Sequence, residues 1–576
     1  MKFITERERL RETLLKDGDY QSTKEIFERI AKYIPDKKLI GELDEHKNIV
    51  YHTSLDLLND VEAIGDGLIA KGLEGKHIAI SADNSYRYVI TDLAIAGGVG
   101  VVTPIDKDAP NDLFTTLINR CDAEALICSF HMIKKVEAIK DGCPKLKTII
   151  TIDRKVEGYP CLTEIMEEGK AFAPYYKNKE LDLSAPAKLL FTSGTTGANK
   201  GVILSQNNLA ANTVNCLDVI KAGPDEVNTS MSILPMHHAT EINTHILARI
   251  AAGRLTYIND SMKNMMTNIK IFKPYNITIV PMIANAFYKT IWTNAKKQGK
   301  DKLLKKGIKI CKIARLFGKD ITHKLFKAVF ENFGGNLKEI VCGGAMLNPE
   351  VVKGFRDLGV FIINGFGITE CGPLVSMNTD TLKEPYSVGK ACPGLEVKLD
   401  KVNEDGVGEL CVKGKSVSLG YYKDPEATAK VFDKNGFFHT GDLARIDEQG
   451  RIFLAGRKKN VIVLDNGKNV CPEEIETEVS NNIEYAKECV AYSGEFDNGT
   501  KTQEGICLGL YIENEDIRND RNKLIEDFRE LNKKLPNYKR INYINLVDKE
   551  YDKTSTRKIK RDNLLQTHSP KDGIIL

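Results

Sequence analysis

The residues from Leu189 to Leu209 read LLFTSGTTGANKGVILSQNNL. Thr192, Ser193, Thr195 and Thr196 bring four hydroxyls, Gly194, Gly197 and Gly201 bring backbone freedom, and Lys200 brings a charge. A turn of this kind can aim successive backbone N–H groups at an anion, and glycine lets the backbone approach it closely. The chemistry on offer is a grip on phosphate. It is not a Walker A loop, which ends in Gly-Lys-Ser/Thr, because Lys200 is followed by Gly201. A Ser/Thr/Gly-rich stretch alone also suits a plain surface turn; the whole string between two apolar runs is the more specific signal.

Three further stretches carry chemistry. NGFGITECGP, Asn364 to Pro373, follows an apolar run, which puts it at the carboxyl end of a strand, where open α/β sheets bind ligands. Phe366 can stack on a flat base, Thr369 can bond a phosphate oxygen, and Glu370 can hold Mg²⁺ through a carboxylate oxygen. Asp442, on a Thr-Gly-Asp turn, can accept from both hydroxyls of a ribose, and Arg457 can reach the same sugar. DKTSTRKIKR, Asp552 to Arg561, is basic and hydroxyl-rich, with Lys558 near its centre. Singly, each suits a cap, a turn or a surface ion pair.

The elements that must position these residues alternate. Short apolar runs at KHIAIS, GVGVVTPI, EALICSF and KTIITID read as strands, with a helix from about Ser85 to Ala96. The rhythm returns after Pro186, with strands at KLLFTS, RLTYIND and ITIVPMI and a helix after Ser205. It returns again with LKEIVCGGA, a helix from Asn348, and VFIINGFG. This is the pattern of βαβ units with parallel strands, and it predicts two α/β layers by residue 370. From about Val388 short strands divided by Gly, Asp and Asn predict a small antiparallel sheet or barrel. A new α+β unit follows Arg457.

At 576 residues the chain is too long for one typical core. Its net charge of +3 gives no sign of a nucleic-acid partner. Thirteen cysteines form neither a CxxC pair nor a zinc-spaced cluster, which suits reduced, mostly buried thiols in a cytosolic protein. The N-terminus has no apolar signal core, and YVITDLAIAGGVGVVTPID is too short and broken to span a bilayer. One segment, residues 295–327, holds twelve Lys/Arg against two Asp. Its Leu303, Leu304, Ile308, Ile310, Ile313, Leu316 and Phe317 recur at roughly helical spacing. It reads as a solvated helix pair or as an amphipathic patch drawn to anionic lipid.

FTSGTTGANKGV, GFGITE, HTGD, GRKKNVIVLDNGKNVCPEEIE and TSTRKIKR occur in the order found in the adenylate-forming superfamily, which the chain resembles from about residue 20 to beyond 560. That superfamily contains acyl-CoA synthetases, luciferases and adenylation domains of peptide synthetases. The resemblance implies an α/β protein. Its large N-terminal region, residues 1–458, would comprise two α/β layered subdomains and a small β-barrel-like one. A small mobile α+β domain, residues 459–576, would carry the catalytic lysine.

The resemblance also implies that Thr192 to Lys200 embrace the phosphates of ATP, that Phe366 and neighbouring Asn364 serve the adenine, and that Gly367 of the same motif belongs to the cofactor site. Thr369 and Glu370 would serve the phosphates and Mg²⁺, and Asp442 and Arg457 the ribose. Lys459 would be the hinge and Lys558 the catalytic lysine. LPMHHATE, Leu234 to Glu241, matches a further motif that puts His238 where a ring gates the acyl site; a satisfied core histidine is the other reading. The pocket is expected near His238, Pro281 to Tyr288, and the small Gly343, Gly344 and Ala345. Arg557 stands where many members have Gly, and TRKIKR resembles the long-chain acyl-CoA synthetase branch.

The implied reaction is ATP-dependent formation of an acyl-AMP from a medium- or long-chain fatty acid, then thioester formation with coenzyme A. No internal nucleophile is needed, and no Ser–His–Asp set or reactive cysteine stands out. An acyl carrier protein as acceptor and an aryl acid as substrate are the alternatives. The expected location is the cytoplasm, with peripheral contact at the inner membrane face through residues 295–327.

Overall fold

The computed structural model describes residues 12–172, 174–192, 199–219, 228–344, 347–381, 383–464, 469–497, 502–553, 559–561 and 573–576. Ser193, Gly194, Thr195, Thr196, Gly197, Ala345, Arg557 and Lys558 lie outside the described residues.

Apolar runs form the buried middle of two large sheets, as the alternation predicts. One has seven strands in the order Gly420–Tyr421, Lys200–Ser205, Pro186–Thr192, Val101–Pro104, His77–Ser81, Ala125–Cys128 and Thr148–Thr151. Its inner strands are parallel, and its first two join antiparallel. The other has nine strands, with Ser230–Ser232, Asn276–Ile279, Glu339–Gly343 and Phe361–Gly367 adjacent and parallel. Three of these strands therefore end together, and the segments that follow them carry His238, Gly344 and Glu370. Leu374–Asn378 returns antiparallel against Phe361–Gly367.

Helices cover these sheets and start where the sequence supplies caps. Ser85 accepts from the Tyr88 N–H at the head of Tyr86–Ala94, and Thr53 with Asp56 closes a capping box. The run from Tyr88 to Asp106 becomes that helix, a π turn at Ile95–Val99, and the strand Val101–Pro104. Among the described residues, no helix is long and apolar enough to cross a membrane. Between the layers Lys188 is buried, with its ammonium 2.7 Å from Asp92 and 3.0 Å from the Asn243 side chain. Pairing is what makes a buried charge tolerable.

ITIVPMI departs from the expected strand. The strand stops at Ile279, and Pro281 opens the helix Pro281–Lys297 at its first position. Proline fixes φ there and gives up an N–H that has no helical partner anyway. NVIVLD likewise yields only the short strand Ile462–Val463.

Leu395–Asp400, Gly408–Gly414, Phe438–Ile446 and Ile452–Arg457 form a four-stranded antiparallel sheet. Beyond the 3₁₀ turn Lys458–Asn460, a further core gathers only residues from Ile462 to Ile574. It lies between the strands Glu488–Asp497, Thr502–Tyr511 and Tyr543–Val547 and the helices Pro472–Asn482 and Arg521–Lys534. This is the α+β unit read from the sequence.

Candidate active site

The string that opens the sequence reading proves to be a hairpin. Pro186–Thr192 and Lys200–Ser205 pair antiparallel, and Thr192 faces Lys200 in the register. A Walker loop leads from a strand into a helix; this one leads from strand to strand. The Lys200 ammonium sits 4.5 Å from the centre of the Tyr421 ring, a cation–π contact. The Tyr421 hydroxyl in turn donates to Glu370 Oε1 at 3.0 Å. Burial and the Glu370 carboxylate push the Tyr421 hydroxyl well above the ordinary tyrosine value, so it stays protonated and keeps donating. Tyr421 thus links the hairpin to the Thr369–Cys371 turn, and the Ser418 N–H bonds the Glu370 carbonyl at 2.8 Å.

Asp442 and Arg457 face each other across neighbouring strands, with Arg457 Nε 2.8 Å from Asp442 Oδ1. The Thr-Gly-Asp turn is held from below. Thr440 Oγ1 donates to the Leu410 carbonyl at 2.7 Å, and the Gly441 N–H donates to Glu409 Oε1 at 3.2 Å. Glu409 Oε2 lies 2.7 Å from the Lys458 ammonium and 3.1 Å from His439 Nδ1. Burial opposes ionisation of Glu409, yet the bonds from Lys458 and His439 outweigh it and hold the carboxyl below its ordinary pKa. Asp400, Glu409 and His439 come close enough together to hold a metal ion, but the Lys458 ammonium already supplies a cation there.

One cleft of about 3120 Å³ gathers these groups. Thr192, Lys200, His238, Gly343, Gly344, Phe366, Gly367, Thr369, Glu370, Asp442, Arg457 and Lys459 all line it. A single small ligand needs about 300–1,000 Å³, so there is room for more than one. Of the described residues expected at the site, Asn364 alone stays outside its lining. It is buried, with Nδ2 3.4 Å from the Ser387 carbonyl and Oδ1 without a hydrogen-bond partner. His238 is half-buried, with its ring 4.1 Å from that of His237. Gly344 has a φ of +88° and little around its missing Cβ, so the chain turns there without filling the cleft.

The segment 554–558 is flanked by an antiparallel bridge between Lys553 and Ile559, and both residues line the same cleft. Lys553 pairs with Glu488 and Glu550, and Arg561 pairs with Glu476.

Sequence reasoning missed Tyr421, Glu409 and Lys458. The Gly-Tyr-Tyr of LGYYKDP was the available signal for the first; Glu409 and Lys458 had none, because they meet only in the folded sheet. A Ser–His–Glu relay was also missed. His245 lies 2.8 Å from Glu241 Oε1 and 2.7 Å from Ser230 Oγ. All three are buried, and none lines the cleft. The relay ties the helix carrying Glu241 to the strand beneath it.

The family model described as AMP-binding enzyme matches residues 27–422. The chain is 28% identical over 495 residues to long-chain-fatty-acid–CoA ligase 5 of Rattus norvegicus, covering 80% of this chain and 71% of that protein. It is 27% identical over 468 residues to the peroxisomal long chain acyl-CoA synthetase 6 of Arabidopsis thaliana, covering 76% of this chain and 66% of that one. Among solved structures, ATP-bound MatB from Rhodopseudomonas palustris superposes with a TM-score of 0.74 at 20% identity, covering 95% of this chain and 99% of that one. The anthranilate CoA ligase AuaEII in complex with anthranoyl-AMP superposes with a TM-score of 0.75 at 18% identity, covering 95% and 97%. At these identities the structural likeness is one of fold.

Proposed function

Because the chain belongs to the family of AMP-binding enzymes, we propose that it activates a medium- or long-chain fatty acid with ATP and transfers the acyl group to coenzyme A. The observation that carries the reading is the convergence of Thr192 and Lys200, Phe366 to Glu370, Asp442 with Arg457, and His238 with Gly343 and Gly344 on one cleft. The names of the rat and Arabidopsis relatives support the choice of a fatty acid.

In this reading a carboxylate oxygen of the acid attacks the α-phosphorus of ATP. The bond to the bridging oxygen breaks, and pyrophosphate leaves with the electron pair. The coenzyme A thiol then attacks the acyl carbon, loses its proton, and AMP departs. Catalysis of the first step is positioning and charge stabilisation. Asp442 accepts from the ribose hydroxyls, held in place by Arg457 and the Thr440–Glu409 scaffold. Lys200 meets the phosphates. Lys558 supplies positive charge between the carboxylate and the α-phosphate. One carboxylate, Glu370, beside the Thr369 hydroxyl fits Mg²⁺, which prefers one or two carboxylates plus substrate phosphates to an all-protein cage. When bound, that ion neutralises charge on the departing phosphates. Tyr421 orients Glu370 for this task.

The test is AMP release with a series of acids from octanoate to stearate, beside benzoate and anthranilate. Turnover of the fatty acids with free coenzyme A is expected. Turnover of the aromatic acids alone would replace the substrate assignment, and the fold shared with the anthranilate ligase makes that the second reading. Thioester formation with acyl carrier protein but not with coenzyme A would replace the acceptor.

A further inference from the structure

The basic segment around residue 310 is not absorbed by the ligase chemistry. It folds as the end of the helix Pro281–Lys297, the helix Asp301–Leu316, and the short helices Thr322–Leu325 and Lys327–Glu331. Its seven apolar residues do not share one face. Leu304 is buried with Cys311, and Ile308 packs against the same core. At Gly307 a Cβ would stand 2.9 Å from the Phe326 ring, so the helix seats closely on Phe326 and cannot roll without a clash. That seating fixes what points outward. Leu316 is 84% exposed, Phe317 77%, Leu303 66% and Ile313 57%, with Ile310 beside them.

These are among the most exposed large apolar side chains of the described residues; Ile310, Ile313 and Leu316 follow at three-residue spacing and Leu303 lies two turns before Ile310, so successive members adjoin along the helix. Contiguous exposed apolar area on a monomer marks an interaction site. Lysines rim it. Of the twelve Lys/Arg in residues 295–327, only Lys312, Arg315 and Lys327 stand within ion-pair distance of a carboxylate, among the described residues. The other cations face solvent unneutralised.

We propose that this surface docks on the anionic leaflet of a lipid bilayer, with Leu303, Ile310, Ile313, Leu316 and Phe317 entering the headgroup–acyl boundary and the lysines meeting lipid phosphates and carboxylates. Charge complementarity selects the occupant. A second copy of the chain would bring two such cationic fields face to face, which opposes pairing through this patch. A nucleic acid would meet the lysines but leave the apolar stripe in water. An anionic bilayer satisfies both, at about 1 kcal/mol per basic residue near the surface plus the apolar burial. The patch adjoins the cleft. Lys296, Asp301 and Lys305 of the basic segment line the cleft, as does Trp292, one helical turn before the segment starts. A fatty acid leaving the leaflet at this surface therefore has a short path to the site; this second part rests on the fatty-acid reading.

The experiment is flotation of the full chain with vesicles of phosphatidylcholine alone or with about one third phosphatidylserine. Binding is expected only to the anionic vesicles, weakening as salt rises. The double variant Leu316→Ser/Phe317→Ser is expected to lose about ten-fold in binding. It should turn over soluble octanoate like the wild type while losing several-fold on vesicle-embedded palmitate. Equal binding to both vesicle types, no binding, wild-type binding by the variant, or light scattering that shows a dimer lost in the variant would each overturn the proposal. The flotation arm needs no turnover, so it stands or falls apart from the ligase reading.

Discussion

Arg561, three residues past Lys558, donates from one nitrogen to both carboxylate oxygens of Glu476, at 2.7 and 2.6 Å, and so is tied to the helix Pro472–Asn482. Lys553, which precedes Lys558, pairs with Glu488 and Glu550. The described residues Lys553 and Arg561, on either side of Lys558 in the sequence, are thus both anchored by ion pairs.

If that anchoring positions Lys558, Arg561→Lys should slow acyl-AMP formation, because a lysine cannot reproduce the directed guanidinium contact. The expected loss is about ten-fold in the adenylation rate, with ATP affinity held within about two-fold. Lys558→Ala should lose more, on the order of 3–4 kcal/mol of barrier. ATP–pyrophosphate exchange and equilibrium nucleotide binding separate the two quantities. A parallel fall of both in Arg561→Lys would mean that the contact merely supports folding.

The turn Lys458–Asn460 joins the two cores and is held on both sides. Lys458 reaches Glu409 at 2.7 Å in the antiparallel sheet, and Asn460 reaches Glu473 at 2.6 Å in the C-terminal unit. The proposed reaction, with two steps on one cleft, calls for the C-terminal unit to move between them. Lys459→Pro fixes φ at the turn. It should leave acyl-AMP formation within about three-fold of wild type and slow thioester formation by about ten-fold or more. Single-turnover assays of each half-reaction decide this, and equal loss in both would count against a hinge.

The parts of the site that could be read from the sequence are those whose chemistry restricts residue type. Lys200, Glu370 and Asp442 each sit in a local string of turn residues that only a few chemistries explain. Tyr421 and Glu409 were hidden because their partners lie far along the chain, so their roles follow from strand register. Asn364 is the converse case: its motif is plain, and the fold buries its side chain outside the lining of the cleft that Gly365 and Phe366 form beside it. At Leu303 and Leu304 the helical period was right and the face ambiguous. Neighbouring apolar residues on a helix point about 100° apart, and only the close seating of Gly307 on Phe326 settles which one is inside.

Ser230, His245 and Glu241 have the spacing of a hydrolase relay without access to it. Ser230→Ala should retain acid activation within about three-fold and lose on the order of 1–2 kcal/mol of stability with its buried hydrogen bonds to His245 and the Asn276 carbonyl. A fluorophosphonate probe should leave the wild-type chain unlabelled. Labelling at Ser230, or loss of turnover without loss of stability, would give this relay a catalytic task.

His237 gives the protein a calculable response to acid. Its ring is only 15% exposed. Burial, together with the positive charge of Lys107, pushes its pKa down to about 4. Asp106 lies 3.8 Å away, and His238 lies alongside. Above the ordinary histidine value of about 6.5 the ring is neutral in both folded and unfolded chains. As the pH falls from there, the unfolded chain takes up a proton that the folded one refuses, so stability is lost progressively until about pH 4. The loss assigned to this ring is at most about 3 kcal/mol. Denaturation midpoints of the wild type and of His237→Gln, compared at pH 7 and again at pH 4.5, isolate it, because other titrating groups cancel between the two proteins. The variant should lose less stability on acidification by about 1–3 kcal/mol. Identical acid sensitivity would mean that the ring takes up its proton as readily in the folded chain as in the unfolded one.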